Sequence, residues 1–191
     1  MGFAGPLLLS IATALFLGLW SAWIAVRSPT SIDAIESGAW RAWPNAGTAD
    51  VDPYTRAQLA RTGEVALGSG EGLMLLARTD DDGAPLRTAC DYEIAGQTPP
   101  ARLWTLVVED DHGRPLLSQG RPAALGSDSL LRQPDGTFTV ALSSVAKPGN
   151  WVPTTGPQHF RVVLRLYDTT ARTGTALTTL AMPKVTRGHC R

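Results

Sequence analysis

Apolar and polar positions alternate most cleanly at residues 160–167 of this 191-residue chain. Phe160, Val162, Leu164 and Leu166 fall on one side of an extended backbone, and Arg161, Val163, Arg165 and Tyr167 on the other. Period two over eight residues predicts a half-buried strand. The stretch before it starts at Asn150 and Trp151 and carries Pro153, Gly156 and Pro157, which predicts a rigid loop anchored by the tryptophan. Residues 137–142 repeat the alternation, with Phe138, Val140 and Leu142 against Thr137, Thr139 and Ala141. In residues 101–109, Trp104, Leu106 and Val108 oppose Leu103, Thr105 and Val107. Both faces are apolar there, which predicts a central strand covered on both sides. Shorter strands are expected at 73–77, 91–94 and 177–182, the last ended by Pro183, and residues 115–133 have no clean period and read as an irregular crossover. One short helix is expected at 53–62, with Asp52 as its cap, Pro53 in its first position and Gly63 closing it.

A different pattern occupies the first 26 residues, which contain no charged side chain. As a helix, residues 3–26 would rise about 36 Å at 1.5 Å per residue, against a hydrocarbon layer about 30 Å thick. Trp20 and Trp23 lie toward the far end, where indole rings favour the interface. A cleaved secretory signal would need a charged leader, a shorter apolar run and a small-x-small site, and none is clear, so an uncleaved anchor is the expectation. The chain then divides into a transmembrane anchor at 1–26, a tether at 27–47 in which Trp40 and Trp43 dock onto the domain or rest at the membrane surface, and a β domain at 48–191.

Charge changes this picture little. The 17 lysines and arginines balance 17 aspartates and glutamates, so nothing points to nucleic acid as a partner. Arg27 and Arg41 after the span weakly favour a cytoplasmic domain. The two cysteines argue the other way: Cys90 and Cys190 suit a disulfide pinning the C-terminal segment to the body in an oxidising compartment, the alternative being two unrelated buried thiols.

The candidate chemistry is thin. The glycine-rich run at 68–72 is followed by an apolar run, with no Gly-Lys pair and no helix to complete a phosphate loop, and reads as a turn. The three aspartates at 80–82 lack calcium-loop spacing and read as a solvated hairpin turn ending in Gly83. His112, His159 and His189 are isolated, so no metal site is implied, and no cofactor is either. No G-x-S-x-G elbow is present. Glu71, Asp91 and Glu93 are acids that an enzyme could pair. The less bland constellation is Arg102, Trp104, Trp151, Arg165 and Tyr167, since an arginine flanked by aromatic rings can hold a carboxylate or a sugar. Against it stands the plainer reading, in which the tryptophans fill the core and the arginines pair with the acidic turns.

The succession DPYTRAQLARTGEVALGSGEG, Cys90 with Tyr92, PPARLWTLVVEDDHG, DGTFTV, NWVPTTGP and FRVVLRLYD resembles the domain of unknown function DUF1214, in the short membrane-anchored bacterial form without a DUF1254 domain. The resemblance runs from about Pro44 onward, and its most specific parts are NWVP with RLY, and PPARLWTL. It implies a mostly β fold and supplies no catalytic residues. Together these readings predict a mainly β protein: an antiparallel, jelly-roll-like β-sandwich with one short helix, preceded by a transmembrane helix. It would be a single-pass protein of the bacterial inner membrane with its C-terminal domain in the periplasm. The expected role is a non-catalytic binding or envelope-assembly module whose protein or small-molecule partner the sequence does not name. The alternative is an envelope enzyme acting on a small polar or glycan-like substrate.

Overall fold

A computed structural model describes residues 4–27, 34–68, 70–170 and 181–191. Among these the chain forms α1 (Ala4–Arg27), β1 (Ile35–Ser37), β2 (Trp40–Ala42), α2 (Pro53–Thr62), β3 (Gly72–Ala77), β4 (Cys90–Gly96) and β5 (Ala101–Glu109), and then β6 (Leu117–Ser118), β7 (Arg121–Pro122), β8 (Ala124–Gly126), β9 (Phe138–Ser143), β10 (Asn150–Pro153), β11 (Arg161–Thr169) and β12 (Lys184–Cys190). The fold is mainly β, as expected. One sheet has the order β1-β2-β3-β11-β5-β8, the other β10-β9-β4-β12, and β6 with β7 makes a small separate hairpin.

The two main sheets bury their apolar faces against each other. Trp40, Leu73, Leu75, Trp104, Leu106, Val108, Val162, Leu164 and Leu166 come from the six-stranded sheet, and Tyr92, Ile94, Phe138, Val140, Leu142, Val152 and Val185 from the four-stranded one. Aromatic pairs lock the sheets: Trp104 meets Phe138 at 5.3 Å, and Tyr92 meets Phe160 edge-on at 5.6 Å.

The alternation at 160–167 becomes β11, but this strand is buried on nearly all of both faces rather than half-buried. Its position explains the difference. It pairs antiparallel with β3 on one side, Val163 opposite Leu76, and with β5 on the other, Val163 opposite Val107. The outward side is therefore flanked by apolar neighbours and partly roofed by the segment after α2.

Three expectations give way to pairing that no short-range pattern reveals. Asn150–Pro153, read as part of a loop, is β10, and it runs parallel to β9 with Val152 opposite Leu142. Parallel neighbours commonly need a crossover of a dozen or more residues. Residues 144–149 suffice here because β10 rejoins beside the second half of β9, and Gly149, at φ 80°, turns the chain back. The segment after Pro183, read as a tail, is β12, paired antiparallel with β4. Residues 177–180, most of the expected last strand, lie outside the described residues, and 181–182 are not strand. The crossover at 115–133 contains β6, β7 and β8, with Leu125 of β8 opposite Leu106.

Within the stretch read as a tether, β1 and β2 extend the six-stranded sheet through β3. Trp40 is 1% exposed and its indole N–H donates to the Pro183 carbonyl at 2.6 Å, which ties this hairpin to the start of β12. The helix at 53–62 forms as expected: the Asp52 carboxylate accepts from the amides of Tyr54 and Thr55, and Gly63 ends it in the left-handed conformation at φ 68°.

α1 is long and apolar enough to cross a membrane, a test that an N-terminal signal sequence also passes. None of its residues is buried in the protein.

Candidate functional site

The outward face of the six-stranded sheet carries a cluster of charges on an apolar floor. Met74 and Leu76 of β3 face outward between Arg41 of β2 and Val163 and Arg165 of β11. α2 and the segment after it lie over this floor. The result is a cavity of about 700 Å3, walled by Trp43, Leu59, Leu67, Met74 and Leu76 and edged by Arg41, Arg78, Arg161, Asp111 and His112. Arg27, the last residue of α1, also borders it.

Four charges knit the cavity to the sheet. Arg161 donates through Nε and Nη2 to Glu109 Oε2 at 3.0 and 2.8 Å, and through Nη2 to Glu64 Oε1 at 3.2 Å. Arg165 Nη2 reaches the other oxygen of Glu109 at 3.2 Å. The Arg161 and Glu109 side chains are only 5% and 3% exposed, so each is the other's counter-charge away from water. The register produces this contact, because Arg161 stands directly opposite Glu109 in the β11–β5 ladder.

Arg78 is differently placed. It lies just beyond β3, on the side of Met74 and Leu76, and its partner is Asp111 at 3.6 Å, beyond hydrogen-bond range. Among the described residues its guanidinium has no hydrogen-bond acceptor. Loss of surrounding water, then the positive charge of Arg161, pulls its pKa below the usual arginine value, and Asp111 opposes this. The side chain keeps 44% of its surface exposed, so the dehydration is partial.

The five residues singled out in the sequence do not line one concavity. Trp104 is 2% exposed between the sheets, packed on Phe138, and its indole N–H has no acceptor among the described residues. Trp151 stands opposite Ala141 on the other sheet and donates to the Ser143 carbonyl at 3.0 Å. Arg102 is 79% exposed at the start of β5, pairing with Asp168 at 3.3 Å. Only Arg165 and Tyr167 share the outward face of the six-stranded sheet, and none of the five walls the cavity. Their separation follows from topology: Trp151 entered the other sheet through β10, and Trp104 has the inward parity of β5. Arg41, Arg78 and Arg161 at the cavity, and Glu109 beneath Arg161, are spread over four strands or strand ends. Their convergence became readable only with the register of β3, β5 and β11.

The acids considered for catalysis are also separated. Glu71 precedes β3 and bonds the Gly68 amide at 3.1 Å, whereas Asp91 and Glu93 belong to β4 of the other sheet. Asp91 is bound by Lys147 at 2.9 Å, Ser143 Oγ at 2.7 Å and Arg191 at 3.1 Å. Those from Lys147 and Ser143 lead in holding its carboxyl below the usual range. This cluster lies beside the Cys90–Cys190 disulfide, which forms as expected. No three potential metal-ligating side chains gather among the described residues.

Two of the three aspartates read as a solvated turn have structural roles. Asp80 is 2% exposed, 2.9 Å from Arg187 Nε although that N–H is not aimed at it, and it accepts from the Ala84 amide at 2.8 Å. Asp81 accepts from the amides of Ala39 at 2.9 Å and Val185 at 3.0 Å, and its own amide donates to the Val185 carbonyl at 3.0 Å. It therefore links the β1–β2 hairpin to β12.

Residues 71–171 match the family model described as a protein of unknown function, DUF1214. No curated protein matches the chain. Among solved structures it is similar to the VPA0106 protein of Vibrio parahaemolyticus, at 19% identity and a TM-score of 0.57, over 73% of this chain and 36% of that one. It is also similar to an uncharacterized protein of Burkholderia cenocepacia, at 18% identity and a TM-score of 0.46, over 94% of this chain and 52% of that one. The chain thus spans about a third and about half of those two lengths, and the first likeness is one of fold.

Proposed function

Because this chain belongs to the DUF1214 family, whose function is not established, its role has to be read from its own site, and we propose that it is a non-catalytic binding module held at a bacterial membrane by α1. The observation that carries this reading is the cavity of about 700 Å3 on the outward face of the six-stranded sheet. Its size falls within the range of about 300–1,000 Å3 common to small-molecule sites, and its lining combines an apolar floor with charged residues of both signs.

Placement of the domain in the periplasm is supported by the Cys90–Cys190 disulfide, since such bonds persist in oxidising compartments. The enzymatic alternative, acting on a small polar or glycan-like substrate, draws less support. Asp91, one of its candidate acids, is held as a carboxylate by Lys147 and Ser143, the wrong protonation state for a general acid. Of the residues singled out from the sequence, Arg165 keeps a proposed role at the site, as the group that steadies Glu109 beneath Arg161.

Binding is tested with the full chain in lipid nanodiscs and the fluorescent apolar anion anilinonaphthalene sulfonate, corrected for empty nanodiscs. The cavity should enhance its emission, and Met74→Trp, which fills the floor, should remove most of that increment while the thermal midpoint stays within a few degrees. An increment that survives Met74→Trp in a folded protein would count against the cavity as the binding site.

A further inference from the structure

We infer that the cavity takes a single-chain amphiphile with a carboxylate head, the head on Arg78 and the aliphatic chain along Trp43, Leu59, Met74 and Leu76; this rests on the binding reading above.

Three observations converge on that class. First, the cations around the cavity are unequally neutralised. Arg161 has two carboxylates and Arg41 pairs with Glu36, while Arg78 has Asp111 at 3.6 Å and no hydrogen-bonded acceptor among the described residues. Arg27 and Arg61, which also border the cavity, have no ion pair among the described residues, but Arg78 is the one set at the end of the apolar floor of β3, and a carboxylate accepts two parallel N–H bonds from arginine. Second, the wall is segregated. Arg78 follows Leu76 just past the end of β3, whereas Trp43 lies just past β2 toward Met74 and Leu59 comes from α2; Arg61 and Glu64 add charge at the outer rim from the α2 side. A ligand charged at one end and apolar along its length fits that division. Third, Arg27 at the end of α1 borders the cavity, so if α1 spans a bilayer the cavity stands at the level of the headgroups, where such amphiphiles reside. The loss of water around Arg78 and the charge of Arg161 point the same way, since an anion relieves both.

The test uses the full chain in nanodiscs with a diazirine-bearing palmitate, photolysed and mapped by peptide mass spectrometry, so that label in the cavity is separated from label on α1. Label is expected on the peptides containing Leu59 and Met74. Unlabelled palmitate should compete at least tenfold better than hexadecanol, and Arg78→Met should lose that preference while Arg121→Met, on the β6–β7 hairpin, keeps it. Equal competition by palmitate and hexadecanol would overturn the anionic head while leaving the binding reading in place. Stronger competition by phosphatidylglycerol than by palmitate would overturn the carboxylate. Label confined to α1 would overturn the amphiphile altogether, and the Met74→Trp dye measurement then decides separately whether the cavity binds anything.

Discussion

Glu109 and Arg161 illustrate how one side chain comes to depend on another once the ladder has set them face to face. Each is almost fully removed from water, so deleting one charge strands the other. Glu109→Gln is expected to cost roughly 3–5 kcal/mol in urea denaturation, the range for breaking a buried pair. Arg41→Gln, which removes an exposed pair with Glu36, should cost less than about 1 kcal/mol. Asp91 makes a prediction in pH. Its folded pKa is depressed by Lys147 and Ser143, so its contribution is complete above the unfolded aspartate value of about 3.9 and fades as pH falls through the lower folded value. Asp91→Asn should therefore lower the thermal midpoint at pH 7 and change it much less near pH 2, and an equal loss at both would argue against the linkage. At this scale the sequence spoke clearly about parity and poorly about partners. Arg161 and Arg165 could be put on the polar side of their strand, but Glu109 and Arg78 come from other strands, and only register brings them together.

At the level of elements, long periodic runs were readable and short or polar ones were not. The β5 and α2 bounds follow from apolar runs, a proline start and a glycine stop. β12 escaped because only Val185 is buried in it, and β1 and β2 because three residues are too few to display a period. Both are held by specific bonds instead. Asp81 offers Val185 a backbone-like donor and acceptor, occupying one position on the outer edge of β12. Asp81→Ala is expected to cost at least about 1.5–3 kcal/mol, from the bonds its carboxylate makes. Its signature should be faster amide exchange at Ala39 and Val185 together, and exchange at only one of them would show that the link does not couple the hairpin to the strand. Removing the disulfide with Cys90→Ser and Cys190→Ser should cost about 2–5 kcal/mol, with β12 the first strand to exchange.

The whole molecule joins a helix of 24 residues with no buried side chain to a sandwich that buries its own core. Deleting residues 4–27 should move the protein from the membrane pellet to the supernatant in carbonate extraction while leaving the sandwich's melting midpoint within a few degrees. A large fall in that midpoint would mean that α1, which touches α2, is part of the fold.

The pairing of Cys90 with Cys190 also sets a timetable. One hundred positions separate the two, and the chain contains no other cysteine. At about 5–20 residues per second of synthesis, Cys90 waits about 5–20 s for its partner to be made. During that interval β4 has a sheet edge uncovered where β12 will lie, and a thiol whose available partners are on other molecules. Disulfide-linked dimers through Cys90 are thus the misfolded product expected when oxidation outruns translation, visible as a doubled band on non-reducing gels.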